Sequence, residues 1–301
     1  MSAPAATGLV ARVRHAEHVM GTVVSFDVPV SAREDGSLAS AVRWLHWVDR
    51  VFSPYRADSD VSLLANAEVT VDGCAPELAE VLAACALIRD LSGGYFTSAP
   101  SGRFDPSGYV KGWATERAAA LLTAAGSASH LVNAGGDVQC VGDRQSRSRP
   151  RPTRTQYSTE YATGVAGAEP EPWRVGIANP FYRNGLALVV AARDCAVATS
   201  GVAERGAHIV DPTTGRPASG LASLTVIGPS LSLADAYATA AFAMGPKLAR
   251  DWTESLDNYE AFAITSAGET WHTVGFTRHI CRDLTNRTPS PAPEYEDFFM
   301  M

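Results

Sequence analysis

The 301-residue chain contains no run of about 18 apolar residues, so a membrane-spanning helix is not expected. It also lacks any CxxC pair. Its five cysteines (Cys74, Cys85, Cys140, Cys195 and Cys281) are odd in number and widely spaced, which suits reduced thiols better than a disulfide framework or a zinc site. Charge is sparse, at 19% of residues, and acids outnumber bases 32 to 25 for a net charge of −7. A protein whose main partner is nucleic acid carries a basic face instead, so no nucleic-acid partner is expected. Five of the bases (Arg144, Arg147, Arg149, Arg151 and Arg154) fall in one run, leaving the rest of the chain more acidic still. The first twenty residues hold Arg12, Arg14, His15 and Glu17 where a signal peptide needs an apolar stretch. A cytoplasmic location is the expectation.

What is present is a chain that is 46% hydrophobic, enough to bury a substantial core. Val23–Val28 alternates as a strand does. Leu38, Ala41, Val42, Leu45, Val48 and Phe52 share one face of a helix, with Trp44 and Trp47 close to that stripe. A second helix is expected after Pro76, ending at Gly93-Gly94, and a third from about Lys111 to Ala125. Further strands are expected at 130–133, 137–141, 173–178, 186–191, 196–198, 207–210, 222–228 and 260–265. A last helix is expected from Ala234 to Met244, ended by Gly245-Pro246. Strands and helices that do not strictly alternate indicate an α+β fold of mixed sheets with packed helices. Between the middle strands, residues 143–172 have almost no large aliphatic side chains and read as a mobile surface insertion. Residues 1–16 read as a flexible start, 17–285 as one domain and 286–301 as a Pro-rich tail.

Four segments carry chemical potential. In Leu233-Ala-Asp-Ala-Tyr-Ala-Thr, Asp235 and Thr239 lie four apart and share a helix face. A carboxylate and a hydroxyl are hard oxygen donors, suited to Mg²⁺ shared with a phosphate-bearing ligand. Near the helix start they also neighbour unpaired N–H groups. The plain alternative is Asp235 as a helix cap with Thr239 incidental. Thr199-Ser200-Gly201 reads as a tight turn at a strand end, and His208 precedes the turn Asp211-Pro212-Thr213-Thr214-Gly215. Histidine moves protons near neutral pH, though a structural histidine fits as well. In Phe104-Asp-Pro-Ser-Gly-Tyr-Val-Lys-Gly-Trp, a glycine-containing loop enters a helix with Lys111 at the junction, either a cradle for a diphosphate or a plain helix entry. Asn133-Ala-Gly-Gly-Asp breaks a strand at two glycines, as a turn or as a place of close backbone approach.

Taken in order, these segments resemble the ApbE family of flavin transferases. The matching pieces run from Met20-Gly-Thr through Phe52-Ser-Pro-Tyr-Arg, Asp105-Pro-Ser-Gly-Tyr-Val-Lys-Gly-Trp-Ala and Asn133-Ala-Gly-Gly-Asp. They continue with Trp173-Arg-Val-Gly-Ile-Ala-Asn-Pro, Ala198-Thr-Ser-Gly, His208-Ile-Val-Asp-Pro-Thr-Thr-Gly and Ala234-Asp-Ala-Tyr-Ala-Thr. The resemblance implies a single ApbE-like domain that splits FAD, its substrate, and places FMN on a Thr or Ser hydroxyl of an acceptor flavoprotein, releasing AMP. It implies magnesium held by Asp235, Thr239 and the carbonyl of Gly108. Contacts to FAD would come from Met20, Tyr55, Asp105, Lys111 and Ile209, and from Tyr95, Phe96 and Thr97 at the place of the family's Ala-Phe-Asp. Thr199 and Ser200 would join them, and His208 would serve transfer. Thr97 stands where the family often has an acid, and Ala238 where some members add a carboxylate. Two other activities remain open at this point: hydrolysis of FAD to FMN and AMP, and flavin binding without catalysis.

Overall fold

The computed structural model describes residues 11–100, 102–145, 170–202, 206, 209–281 and 299–300. The chain opens with β1 (Arg12–Val19) and β2 (Thr22–Pro29), paired from Arg12↔Pro29 to Val19↔Thr22. The two-residue turn puts both Met20 and Gly21 at positive φ (54° and 68°), which matches the twist of a tight hairpin. The β1 sequence, Arg-Val-Arg-His-Ala-Glu-His-Val, has little apolar alternation, and residues 12–16 belong to a strand rather than to a flexible start. Cross-strand chemistry holds it: Arg12 pairs with Asp27 and also reaches the carbonyl of Ser129. Short α1 (Val30–Glu34) leads into α2 (Ser37–Phe52), which buries Leu38, Ala41, Leu45, Val48 and Phe52, the stripe expected from periodicity. Next come α3 (Asp60–Ala65) and α4 (Pro76–Leu91), the latter with Pro76 in its first turn and Gly93 and Gly94 at positive φ just beyond its end.

The third long helix, α5 (Ser107–Ala124), begins four residues before the expected Lys111, so Lys111 lies in its second turn rather than at a loop junction. A hairpin follows, β3 (His130–Ala134) and β4 (Asp137–Val141), turned by Gly135-Gly136. A Cβ on Gly135 would fall 2.4 Å from Thr22 Oγ1, so the turn presses on the start of β2. The ends of the expected insertion meet as a small ladder, β5 (Arg144–Gln145) with β6 (Pro170–Glu171); residues 146–169 lie outside the described set. Then follow β7 (Trp173–Ala178), β8 (Leu186–Ala192) and β9 (Cys195–Gly201), the small hairpin β10 (Val210–Asp211) with β11 (Arg216–Pro217), and β12 (Leu221–Gly228). The helical run α6 (Leu231–Glu254) breaks at Gly245 (φ 73°, ψ 173°), where a helix end was expected, and resumes as 246–254, which was not. The described strands close with β13 (Glu260–Thr265), β14 (Thr270–His272) and β15 (Phe299–Met300), which pairs with β7; residues 286–298 and 301 of the expected tail are outside the described set.

Among the described residues, eight strands form one antiparallel sheet in the order β1-β2-β3-β4-β9-β12-β13-β14. Alternation sends successive side chains to two separate cores. On β9, Ala196 and Ala198 face a core shared with α2, α5 and α6, whereas Cys195 and Val197 face a second core. On β13, Ala261 and Ala263 point to the first and Phe262 and Ile264 to the second. That second core is covered by β7 and β8 through Trp173, Val175, Ile177 and Val190. The result is three layers, helices on sheet on small sheet, and the α+β expectation holds. Alanines dominate where α6 meets the large sheet, and this lets helix and strand backbones approach closely.

Candidate active site

The site begins where α5 and α6 touch. Gly108 and Gly112, four apart on α5, face Thr239 and Asp235, four apart on α6. A Cβ at Gly112 would sit 2.5 Å from the Leu231 carbonyl oxygen and 2.8 Å from Asp235 Cβ. One at Gly108 would meet Phe96 at 3.5 Å and Thr239 at 3.7 Å. Glycine is therefore what allows the two helices to meet here, and the contact places the functional groups of α6 directly over the first turns of α5. The Gly112 N–H donates to Asp235 Oδ2 (3.0 Å) from the position that caps the Gly108 carbonyl in a regular helix. Thr239 Oγ1 lies 3.3 Å from Ser200 Oγ at the end of β9.

Asp235 is not a cap. Ser230 caps α6 by accepting the Leu233 N–H (3.4 Å), and Glu116 of α5 accepts the Ser232 N–H (2.8 Å). Two amides of the helix start are thus served by other side chains, and Asp235, 5% exposed, lies one turn further in. The expected proximity of Asp235 and Thr239 to unpaired N–H groups is replaced by proximity to α5. Thr199-Ser200-Gly201 is likewise strand rather than turn, since all three pair with β12 (Thr199↔Thr225, Ser200↔Leu224, Gly201↔Ser223). On the other side β9 pairs with β4 only as far as Val197. There the Thr199 N–H turns to the Asp137 carboxylate instead, 3.2 Å from Oδ1.

Asp137 also ion-pairs through Oδ2 with Lys111, whose Nζ lies 3.9 Å from Asp235 Oδ1. A line of charge therefore crosses three elements, β4, α5 and α6, and is anchored to a fourth, β9, by the Thr199 amide. Asp137 belongs to the Asn-Ala-Gly-Gly-Asp segment, yet sequence reasoning did not single it out. An acid following a two-glycine turn was the available signal.

These groups open into a cleft of about 900 Å³, at the upper end of the range of ligand pockets. Ten of the expected residues line it: Tyr95, Thr97, Asp105, Gly108, Lys111, Thr199, Ser200, Ile209, Asp235 and Thr239. Asp105 Oδ1 accepts the Ser107 N–H (3.0 Å) and so braces the entry to α5. Phe96 is 1% exposed and supports Gly108 from the core, so its side chain does not face the cleft. Met20, partly buried at the β1–β2 turn, and Tyr55, 95% exposed, are not among the lining residues. His208 lies outside the described residues. The loop 179–185 adds a rim that was not expected: Phe181 and Tyr182 are exposed, and the loop is braced by the Asn179 side chain accepting the Phe181 N–H (3.0 Å).

The donor chemistry fits a hard divalent cation. A buried carboxylate and a hydroxyl converge beside a helix carbonyl, and no described cleft-lining residue is a thiol or an imidazole. Among the described residues no group of three or more His, Cys, Asp or Glu forms a metal cluster, so protein carboxylates alone would not saturate an ion here. All five cysteines are free. Burial pushes the Cys85 thiol up to about 12 and raises Cys140 and Cys195, which keeps them unreactive. Among the described residues no helix is long and apolar enough to cross a membrane.

The model of the ApbE family matches residues 20–100 and 97–263. A FAD:protein FMN transferase from Rhodobacter capsulatus is 35% identical over 164 residues, covering 52% of this chain and 26% of that protein. One from Treponema pallidum (strain Nichols) is 35% identical over 153 residues, covering 48% of this chain and 38% of that protein. The matched region thus spans well under half of the length of these relatives. The flavin transferase ApbE from Vibrio cholerae superposes with a TM-score of 0.72 at 20% identity, covering 90% of this chain and 99% of that one. The ApbE protein of Thermotoga maritima gives 0.72 at 20% identity, covering 89% and 99%. At that identity the two structures speak for the fold.

Proposed function

Since the chain belongs to the ApbE family, we propose that it is a magnesium-dependent FAD:protein FMN transferase acting on a Thr or Ser hydroxyl of an acceptor flavoprotein. The observation that carries this reading is the convergence of Asp235, Thr239, Gly108 and Lys111 on one cleft large enough for a dinucleotide. Asp235, Thr239 and the Gly108 carbonyl are the residues that would hold Mg²⁺. When bound, the ion supplies neutralisation of the FAD diphosphate and of the charge that builds on the departing AMP.

The chain's own residues do the rest. Lys111 brings a second positive charge to the diphosphate. Ser200, held in register by β12, offers a hydroxyl beside Thr239, Thr199 lines the cleft from the same strand, and Asp105 braces the entry to α5. His208 accepts the proton of the acceptor hydroxyl while that oxygen bonds to the FMN phosphorus and the bond from that phosphorus to the bridging oxygen of AMP breaks. General-base help of this kind is worth about 10²–10⁴-fold. The flavin ring is cargo and undergoes no redox change. A cytoplasmic setting belongs to the same proposal and rests on the five free thiols.

The test is to incubate the purified chain with FAD, Mg²⁺ and an acceptor flavoprotein. A flavin-fluorescent acceptor band on a denaturing gel, with one AMP released per band, is the expected result. Free FMN without a band would make the protein a FAD hydrolase. FAD left intact would reduce it to a flavin binder.

A further inference from the structure

We propose that Asp137 is a positioning residue: it neutralises Lys111, so that an ammonium group can stand beside Asp235 without driving a divalent cation away. The inference rests on the metal reading above and deepens it. Lys111 is an awkward neighbour for a cation site. Its Nζ lies 3.9 Å from an oxygen of the carboxylate proposed as the principal ligand, and Asp235 is 5% exposed, so water does little to screen the two. An uncompensated ammonium there would compete with the metal for Asp235. It would also be useful to the reaction, because the same charge faces an anionic diphosphate.

Asp137 resolves the conflict. It is 1% exposed and starts β4 directly after the Gly135-Gly136 turn. One of its oxygens pairs with Lys111 and the other accepts the Thr199 N–H. The carboxylate is therefore fixed in position by the β9 backbone and holds the ammonium at a set distance from Asp235. Lys111, Asp137 and Asp235 together carry one net negative charge, which favours a cation; without the charge of Asp137 the trio is neutral. A partner of this kind, one step removed from the metal, typically changes metal affinity by about 10–100-fold.

Asp137→Asn is the informative change, because the amide keeps the shape and can still accept the Thr199 N–H while losing the charge. The measurement is Mn²⁺ binding by the whole chain, followed by electron paramagnetic resonance with no turnover required. The expected result is a Kd raised about 10–100-fold in Asp137→Asn. In Asp137→Asn combined with Lys111→Met, where both charges are gone, the Kd should return most of the way to the unsubstituted value. Lys111→Met alone, which removes the positive charge beside Asp235, should bind Mn²⁺ several-fold more tightly, and this variant serves even if Asp137→Asn does not fold. Binding of inorganic pyrophosphate without metal should be no weaker in Asp137→Asn. An unchanged Mn²⁺ Kd in a less stable Asp137→Asn protein would make the residue a structural bridge and overturn the proposal, as would a double variant no better than the single. If the unsubstituted chain turns over FAD and binds Mn²⁺ normally while these shifts are missing, the inference alone fails. If that chain binds no Mn²⁺ at all, the metal reading fails with it.

Discussion

The two faces of the large sheet differ most beside the cleft. The side that meets β7 and β8 is packed with Trp173, Val175, Ile177, Phe262, Ile264 and Phe276, large and apolar. The side that meets the helices also holds large residues, Phe26, Leu224 and Phe242 among them, but where α6 meets α5 and the sheet it uses alanine and glycine, and it buries Asp137 and Asp235. Large side chains hold backbones apart and fill the gap with carbon. Small ones bring backbones together, so that carboxylates, amides and hydroxyls from four elements fall within hydrogen-bonding reach. Close backbone approach is the condition for the charged line at the cleft.

The largest way to break this contrast is to remove the acid at its centre. Asp235→Ala should reduce FMN transfer by roughly 10²–10³-fold, the scale of a lost electrostatic contact in a preorganised site. It also leaves the Gly112 N–H without its carboxylate, for a stability loss of about 1–3 kcal/mol. Transfer within threefold of the unsubstituted rate would remove Asp235 from the chemistry. His208→Ala should slow transfer by about 10²-fold while changing FAD affinity little, as measured by single-turnover kinetics against equilibrium binding. A loss confined to affinity would make it a binding residue.

Gly→Ala at one position beside the cleft and one in the small sheet sharpens the comparison. At Gly112 the new Cβ meets the Leu231 carbonyl of the backbone at 2.5 Å, and α5 and α6 must part. A loss of about 3 kcal/mol, together with most of the activity, is expected from denaturant unfolding and transfer assays. At Gly176 of β7 the Cβ meets Leu186 Cδ2 at 2.8 Å, the end of a flexible side chain. There a loss of about 1 kcal/mol with near-normal transfer is expected. Equal effects at both sites would contradict the difference in packing.

A smaller effect concerns pH. His130 of β3 is fully buried and its ring nitrogens meet the Ala119 carbonyl (3.0 Å) and Ser127 Oγ (3.1 Å). Burial lowers its pKa from the ordinary 6.5 to about 4. Between those values the unfolded chain binds a proton that the folded chain refuses, so stability falls as pH drops from 6.5 towards 4, by up to roughly 3 kcal/mol. His130→Gln should flatten that part of the stability–pH curve; an unchanged slope would assign it to the carboxylates.

Much of this organisation was legible in the residues. The stripe of α2, the proline start of α4, the strands of β2, β3, β4, β12 and β13, and the break at Gly245 all follow from local spacing. The edge strand β1 was not legible, because its partners Asp27 and Ser129 are distant and its own pattern is polar. Nor was the helix 246–254, since a Gly-Pro pair that ends one helix also suits the first turn of the next.

Spacing alone determined that Asp235 and Thr239 share a face, because an α-helix repeats every 3.6 residues whatever surrounds it. That Gly108 joins Gly112 on one face of α5 became visible only with the helix start at Ser107. Only the tertiary structure decided that these faces meet, that Ser230 and Glu116 rather than Asp235 serve the start of α6, and that Asp137 stands beside Lys111. The reason is physical. Local periodicity sets which side of an element a residue occupies, but partners 26 or 123 positions apart are chosen by the packing of whole layers, and no local pattern encodes that choice.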